Sequence, residues 1–181
     1  MSSAARFWTL GHSNRSLEAF LALCRAHGLA CIVDVRRTPA SRRWPHFSRA
    51  PLERALLGSG LQYLWLPELG GMRTPRPGSP HTAWSEPAFA AYADQLESDE
   101  WRAGAERLLT RMAEEPTAIL CAEARYTECH RQLIADAMHV RGVEVRHIVG
   151  AASAVPHTLT SFARVEGQRL IYDRGQVGMG F

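Results

Sequence analysis

Apolar residues recur along the chain in short continuous runs and at helical spacing, and the two patterns alternate. Arg6 to Leu10 predicts a first strand running into Gly11-His12-Ser13-Asn14-Arg15. Leu17, Phe20, Leu21 and Cys24 then mark a helix that Asn14 or Ser16 can cap and His27-Gly28 closes. Ala30 to Val35 predicts a second strand. Ser48 can cap a short helix through Leu57, and Gly58-Ser59-Gly60 breaks it before a third strand, Leu61 to Trp65. Thr74 to Pro80, TPRPGSP, is too short for a domain linker and predicts a surface flap. Phe89, Tyr92, Ala93 and Leu96 mark one helix; Trp101, Ala105, Leu108 and Met112 mark another beginning near Asp99. Thr117 to Cys121 is apolar, β-favouring at its start and preceded by Pro116, which predicts a buried fourth strand. Thr127 can cap the helix carrying Leu133, Ile134, Ala137 and Met138, which Arg141-Gly142 ends. Val143 to Val149 gives a fifth strand, and Arg164 to Tyr172 a hairpin turning at Glu166-Gly167.

Strands that alternate with helices need right-handed crossovers, and these put helices on both faces of a mainly parallel sheet. The expected fold is therefore α/β: a three-layer sandwich of about five strands with a C-terminal β-hairpin. At 181 residues, 46% of them hydrophobic, the chain can bury one good core, so a single domain over 1–181 is expected. A C-terminal extension of 149–181 carries the hairpin.

In a parallel sheet the C-terminal strand ends share one edge, where ligands of open α/β sheets bind. Four ends carry polar groups: His12 and Ser13 after Gly11; Asp34 followed by Arg36 and Arg37; Glu68 beside Gly70 and Gly71; and Cys121 with Glu123. Cys129, His130 and Arg131 are expected in the first turn of the following helix, where free amides favour anions, thiolates included. This makes Cys129 a candidate nucleophile, with Glu123, His12 or His130 handling protons. Gly11, Ser13, Asp34, Arg36, Arg37, Glu68, Gly70, Gly71, Cys121 and Arg131 become candidates for holding an anionic substrate. A plainer reading stands beside it: Cys129 aligns with Leu133 and Ala137, and His130 with Ile134 and Met138, so both can simply begin an apolar stripe. Cys24 and Cys31 read as core.

Composition narrows the chemistry. The 21 basic residues are all arginine, giving a net charge of +3, and the absence of lysine excludes Schiff-base chemistry and the lysine-dependent phosphate loop. Arg36 to Arg49 interleaves arginines with aromatics, and Arg42, Arg43, Trp44 and Phe47 are a candidate patch for single-stranded nucleic acid; the alternative is a solvated loop. The four cysteines lack the density of a secreted disulfide scaffold, and neither a signal-peptide layout nor a membrane-spanning run is present, so a cytoplasmic protein is expected. No cofactor is evident. Zinc held by Cys121, Cys129 and His130 ranks lower, because the spacing is looser than that of usual zinc cysteines. Expected partners are a small anionic ligand or nucleotide and possible single-stranded nucleic acid, with no membrane; the chain is expected to be a monomer or homodimer.

GHSNR after the first strand, VDVRR with SRR beyond it, LPELGG, and CAEARYTECHR followed by GVEVRHI together resemble the domain-of-unknown-function family 488, from Thr9 to about Ile148. The resemblance implies that Gly11, His12, Ser13, Asp34, Arg36, Arg37, Glu68, Gly70, Gly71, Cys121, Glu123, Cys129, His130 and Arg131 occupy motif positions. It assigns them no roles. The leading expectation is a cysteine-dependent hydrolase or transferase acting on an anionic, nucleotide-like or nucleic-acid-derived substrate. A nucleic-acid or nucleotide binder without catalysis is the alternative, and a Cys/His metal protein the second alternative.

Overall fold

Alternation along the strands decides the layers. Phe7, Cys31, Val33, Ile119, Cys121 and Val145 pack on one face of a sheet, while Leu10, Ile32, Ala118, Leu120 and Ile148 pack on the other. The computed structural model describes residues 6–173. Its main sheet contains β1 (Arg6–Gly11), β2 (Cys31–Asp34), β3 (Gln62–Trp65), β4 (Thr117–Cys121), β5 (Glu144–Gly150) and β6 (Ser153–Pro156), in the order β3-β2-β4-β1-β5-β6. All pairings are parallel except that of β6 with β5. Each parallel strand must return through a crossover, and the helices supply it.

Helices α1 (Leu17–Ala26) and α2 (Arg49–Gly58) bury Phe20, Leu23, Cys24, Leu52 and Leu56 against one face. Helices α3 (Pro87–Gln95), α4 (Asp99–Glu114) and α5 (Arg131–His139) bury Tyr92, Trp101, Leu108, Leu133 and Ile134 against the other. The hairpin of β7 (Ala163–Glu166) and β8 (Arg169–Tyr172) adds Leu170 and Tyr172 to that second layer, turning at Gly167 with φ +65°. Ser16 and Ser98 cap α1 and α4 by accepting from Ala19 and Trp101 N–H, both at 3.1 Å. The flap is tied down where Ser79 Oγ donates to Asp94 Oδ1 at 2.8 Å. No helix among the described residues is long and apolar enough to cross a membrane. Residues 174–181 of the expected C-terminal extension lie outside the described residues.

The α/β architecture and the hairpin agree with the sequence, and three details correct it. The sheet gains β6, a short antiparallel edge strand; Ser153-Ala-Val-Pro156 shows no alternation because an edge strand is exposed, and its proline is tolerated there. Ser48 stands at the N-cap of α2, but its hydroxyl makes no cap hydrogen bond and instead accepts from Ser41 N–H at 3.0 Å, tying down the arginine-rich loop. Thr127 caps nothing: Tyr126–Glu128 forms a 3-10 turn, Cys129 is extended at φ −144°, ψ 152°, and α5 starts only at Arg131.

Candidate active site

The C-terminal ends of the parallel strands open into a cavity of about 1030 Å³. His12, Ser13, Arg36, Arg37, Gly71, Cys121, Glu123, Cys129 and His130 line it, joined by Arg43 and Trp44 from the arginine-rich loop. The convergence follows from strand order. β1 and β4 are neighbours with Gly11 opposite Cys121, so His12 N–H donates to the Cys121 carbonyl and Ser13 N–H to the Ala122 carbonyl, each at 2.9 Å. A side chain at position 11 would run into the Glu123 carbonyl, and one at position 71 would lie 3.1 Å from His130 Nδ1. Gly70 packs in the same way against Arg37. These three glycines allow close approach of the chain, and Gly71 lines the cavity.

The chemistry concentrates on two sulfurs. Cys129 Sγ lies 2.7 Å from Cys121 Sγ, 3.6 Å from His130 Nδ1 and 3.5 Å from the Arg131 amide nitrogen. On its far side Cys121 Sγ reaches Glu123 Oε2 at 3.1 Å. Adjacent cysteine and histidine side chains diverge on a helical turn, but here the extended Cys129 and the helical backbone of His130 turn them toward each other. The Val35 carbonyl can only accept, so His130 Nε2, 3.2 Å away, carries a proton and Nδ1 is left to exchange one with Cys129. Burial opposes ionisation of Cys129, yet the Cys121 S–H, the His130 imidazole and the Arg131 guanidinium outweigh it and hold the thiol well below its usual range. Burial and then the neighbouring Cys129 push Cys121 well up. For His130 burial favours the neutral ring, and the Cys129 thiolate overrides it to raise the pKa. The result is an imidazolium–thiolate pair with one neutral thiol alongside.

Arg131 is nearly inaccessible. Its Nη2 donates to the Glu123 carbonyl at 2.6 Å, and Nε has no hydrogen-bond partner among the described residues. A buried guanidinium without a carboxylate is costly and favours negative charge nearby, which here is the Cys129 sulfur.

Several expected site residues do other work. Asp34 is fully buried and accepts from Arg36 Nε at 2.8 Å and from Tyr63 OH at 2.8 Å, while Arg36 Nη1 donates to the Phe47 carbonyl at 2.8 Å. That internal pairing takes up Arg36, while Arg37, which pairs with Glu100 at 3.6 Å, and Arg43 add positive charge to the cavity wall. His12 stacks on Phe47 with centroids 4.3 Å apart; Nδ1 donates to the Ser13 carbonyl at 2.9 Å and Nε2 accepts from Arg36 at 3.3 Å. Burial lowers its pKa to about 4, so the ring is neutral near pH 7 and forms part of the cavity wall. Glu68 lies outside the cavity: a 3-10 turn at Pro67–Leu69 aims it at α4, where it pairs with Arg107 at 2.9 Å. In the nucleic-acid patch Arg42 and Arg43 are exposed and Trp44 is half-buried under Arg43, but Phe47 is fully buried and can stack on no base.

Cys121, Glu123 and Cys129 offer ligand atoms all within 4.8 Å of one another. Zinc–sulfur bonds of about 2.3 Å put two sulfurs on a tetrahedral ion about 3.8 Å apart. Sharing one ion would therefore require the 2.7 Å sulfur pair to open by about 1 Å.

Sequence reasoning passed over a buried relay beneath the site. Thr9 Oγ1 donates to His147 Nδ1 at 2.7 Å, His147 Nε2 to His157 Nδ1 at 2.9 Å, and His157 Nε2 to Asp136 Oδ1 at 2.8 Å. These directions follow because the Asp136 carboxylate only accepts. The Tyr126 ring lies flat on His147 at 3.4 Å, so the loop that carries Cys129 rests on this relay. No spacing rule links residues so far apart in sequence. Tyr92, read as a packing residue, is also missed: it lines the cavity with its ring 5.0 Å from that of His130.

A family model described as domain of unknown function DUF488 matches residues 16–138. The match takes in VDVRR, LPELGG and CAEARYTECHR and leaves GHSNR and GVEVRHI outside. No curated protein and no solved structure matches the chain.

Proposed function

We propose, from the premise that the chain belongs to the DUF488 family, that it is a cysteine-dependent hydrolase or transferase acting on a small anionic, nucleotide-like substrate, with Cys129 as nucleophile. One observation carries this reading: the Cys129 sulfur faces the cavity between a thiol 2.7 Å away and an imidazole nitrogen 3.6 Å away that together favour thiolate. The Cys129 thiolate attacks the electrophilic centre and the leaving group takes the His130 Nδ1 proton. Water or an acceptor then attacks the covalent adduct and returns a proton to Nδ1, and the thiolate departs. The Val35 carbonyl keeps the ring in the working tautomer. Arg37 and Arg43 provide charge for an anionic group, and Trp44, Phe89 and Tyr92 provide an aromatic wall for a planar one.

Iodoacetamide tests the reading, because it alkylates thiolates and is small enough for a cavity floor. Burial pushes Cys24 and Cys31 up to about 12, leaving them almost wholly protonated near neutral pH. Cys129 is expected to label at least about a hundredfold faster than the other three cysteines. Inorganic phosphate should slow it, and Cys129→Ser should remove the fast site while the circular dichroism spectrum is preserved. Equal, slow labelling of all four thiols, indifferent to phosphate, would overturn the proposal.

A further inference from the structure

Hydrolysis or group transfer at Cys129 leaves Glu123 without a task and uses Cys121 only as a neighbour that favours the thiolate. Cys121 is a second sulfur in contact with the nucleophile, and Glu123 aims its carboxylate at Cys121, with Oε2 3.1 Å from that sulfur. A carboxylate next to a thiol is the arrangement for deprotonating it. Cys129 at 4% and Cys121 at 1% exposure are shielded from bulk solvent, and an oxidant reaches both through the cavity they line. The pair lies within about 1 Å of the ~2.05 Å bonding distance of two sulfurs.

We propose that Cys121 is a resolving thiol: a hydroperoxide oxidises Cys129, and Cys121, with Glu123 as its base, closes the pair into a reversible disulfide. The inference rests on the reading of Cys129 as nucleophile and adds the redox control of that same site. In the first step the Cys129 thiolate attacks one oxygen of hydrogen peroxide, the O–O bond breaks, and an S–O bond forms. The departing hydroxide takes the His130 Nδ1 proton and leaves as water. Cys129 is now a sulfenic acid, oxidised by two electrons as the peroxide is reduced. In the second step Glu123 takes the Cys121 proton and the Cys121 sulfur attacks Cys129. The S–O bond breaks, and the hydroxide leaves as water with the proton Glu123 had taken. One peroxide and two thiols have become one disulfide and two waters, and a dithiol reductant reverses the closure. Glu123 is exposed, so its proton exchanges freely with solvent. Closure requires the two sulfurs, 2.7 Å apart, to approach by less than about 1 Å. The disulfide removes the nucleophile from use and protects it from irreversible oxidation.

The test treats the reduced full-length protein and its Cys121→Ser, Cys129→Ser and Glu123→Gln variants with hydrogen peroxide, with and without dimedone to trap sulfenic acid, followed by non-reducing peptide mapping. Wild type should give a Cys121–Cys129 cross-linked peptide that dithiothreitol reopens. Cys121→Ser should accumulate the dimedone adduct and then sulfinic acid on Cys129, and Cys129→Ser should leave Cys121 unoxidised. Glu123→Gln should form the cross-link about a hundredfold more slowly, with trapped sulfenic acid building up. Wild type that accumulates sulfenic or sulfinic acid on Cys129 without the cross-link would overturn the resolving role, and it would leave the nucleophile standing if iodoacetamide still labels Cys129. A Cys129 that neither labels nor oxidises would remove the nucleophile, and the resolving role with it.

Discussion

Replacing Asp136 with alanine should cost about 4 kcal/mol of folding stability, a large part of what a domain of this size possesses. Its carboxylate is fully buried and accepts from His157 Nε2 at 2.8 Å, Thr160 N–H at 3.0 Å, Thr160 Oγ1 at 2.7 Å and Tyr172 OH at 2.9 Å. Truncation leaves four donors without a partner and cuts the tie between α5, the segment around Thr160 and the hairpin strand β8. Through His157 and His147 it also loosens the ring on which Tyr126 rests, so Cys129 labelling should slow as well. Urea unfolding of Asp136→Ala decides it, and a loss below about 1 kcal/mol would mean that the network is not worth its burial.

The second large effect is acid sensitivity. Burial holds His12 at about 4, and burial followed by His157 and Arg131 holds His147 at about 3. Both are neutral when folded and titrate near 6.5 when unfolded. Below that pH the unfolded chain binds protons the folded one does not, so stability falls with pH by about 1.4 kcal/mol per unit for each histidine. From pH 6.5 down to 4.5 the two together remove about 5 kcal/mol. His130 adds no slope in this window, because its raised pKa keeps it protonated in both states below 6.5. Denaturant unfolding across this range should show the decline, and His12→Gln or His147→Gln should each flatten part of it, with buried His81, also lowered by burial, contributing in the same direction. A flat profile would show that these rings are hydrated.

The sequence carries the architecture because buried strands and amphipathic helices need few tertiary facts. Thr117 to Cys121 is apolar on both faces, as a central parallel strand must be, and Gly11, Asp34 and Cys121 fall at strand ends that the topology gathers on one edge. Roles were less legible where a short turn redirects a side chain. Glu68 follows a strand as Asp34 does, yet the turn at Pro67–Leu69 sends it to Arg107. Phe47, among arginines, reads as a surface aromatic, but it is the inner support of His12. Arg36 looks like a free anion binder until Asp34, two residues earlier, is seen to hold it. Cys129 and His130 needed the backbone itself: an extended residue before a helix start brings together side chains that helical periodicity separates.

The site therefore rests on a division of labour between two cysteines, one in the loop before α5 and ionised by its neighbours, the other at the end of β4 and kept as a thiol by burial. The pH dependence of Cys129 alkylation, followed by mapping the labelled peptide from about pH 6 to about pH 10, tests this most directly, because the rate follows the thiolate fraction. The account predicts a rate at Cys129 that has reached its plateau by about pH 7 and stays level above it. A rate still climbing about tenfold per unit up to pH 8.5, the behaviour of an ordinary thiol, would contradict it.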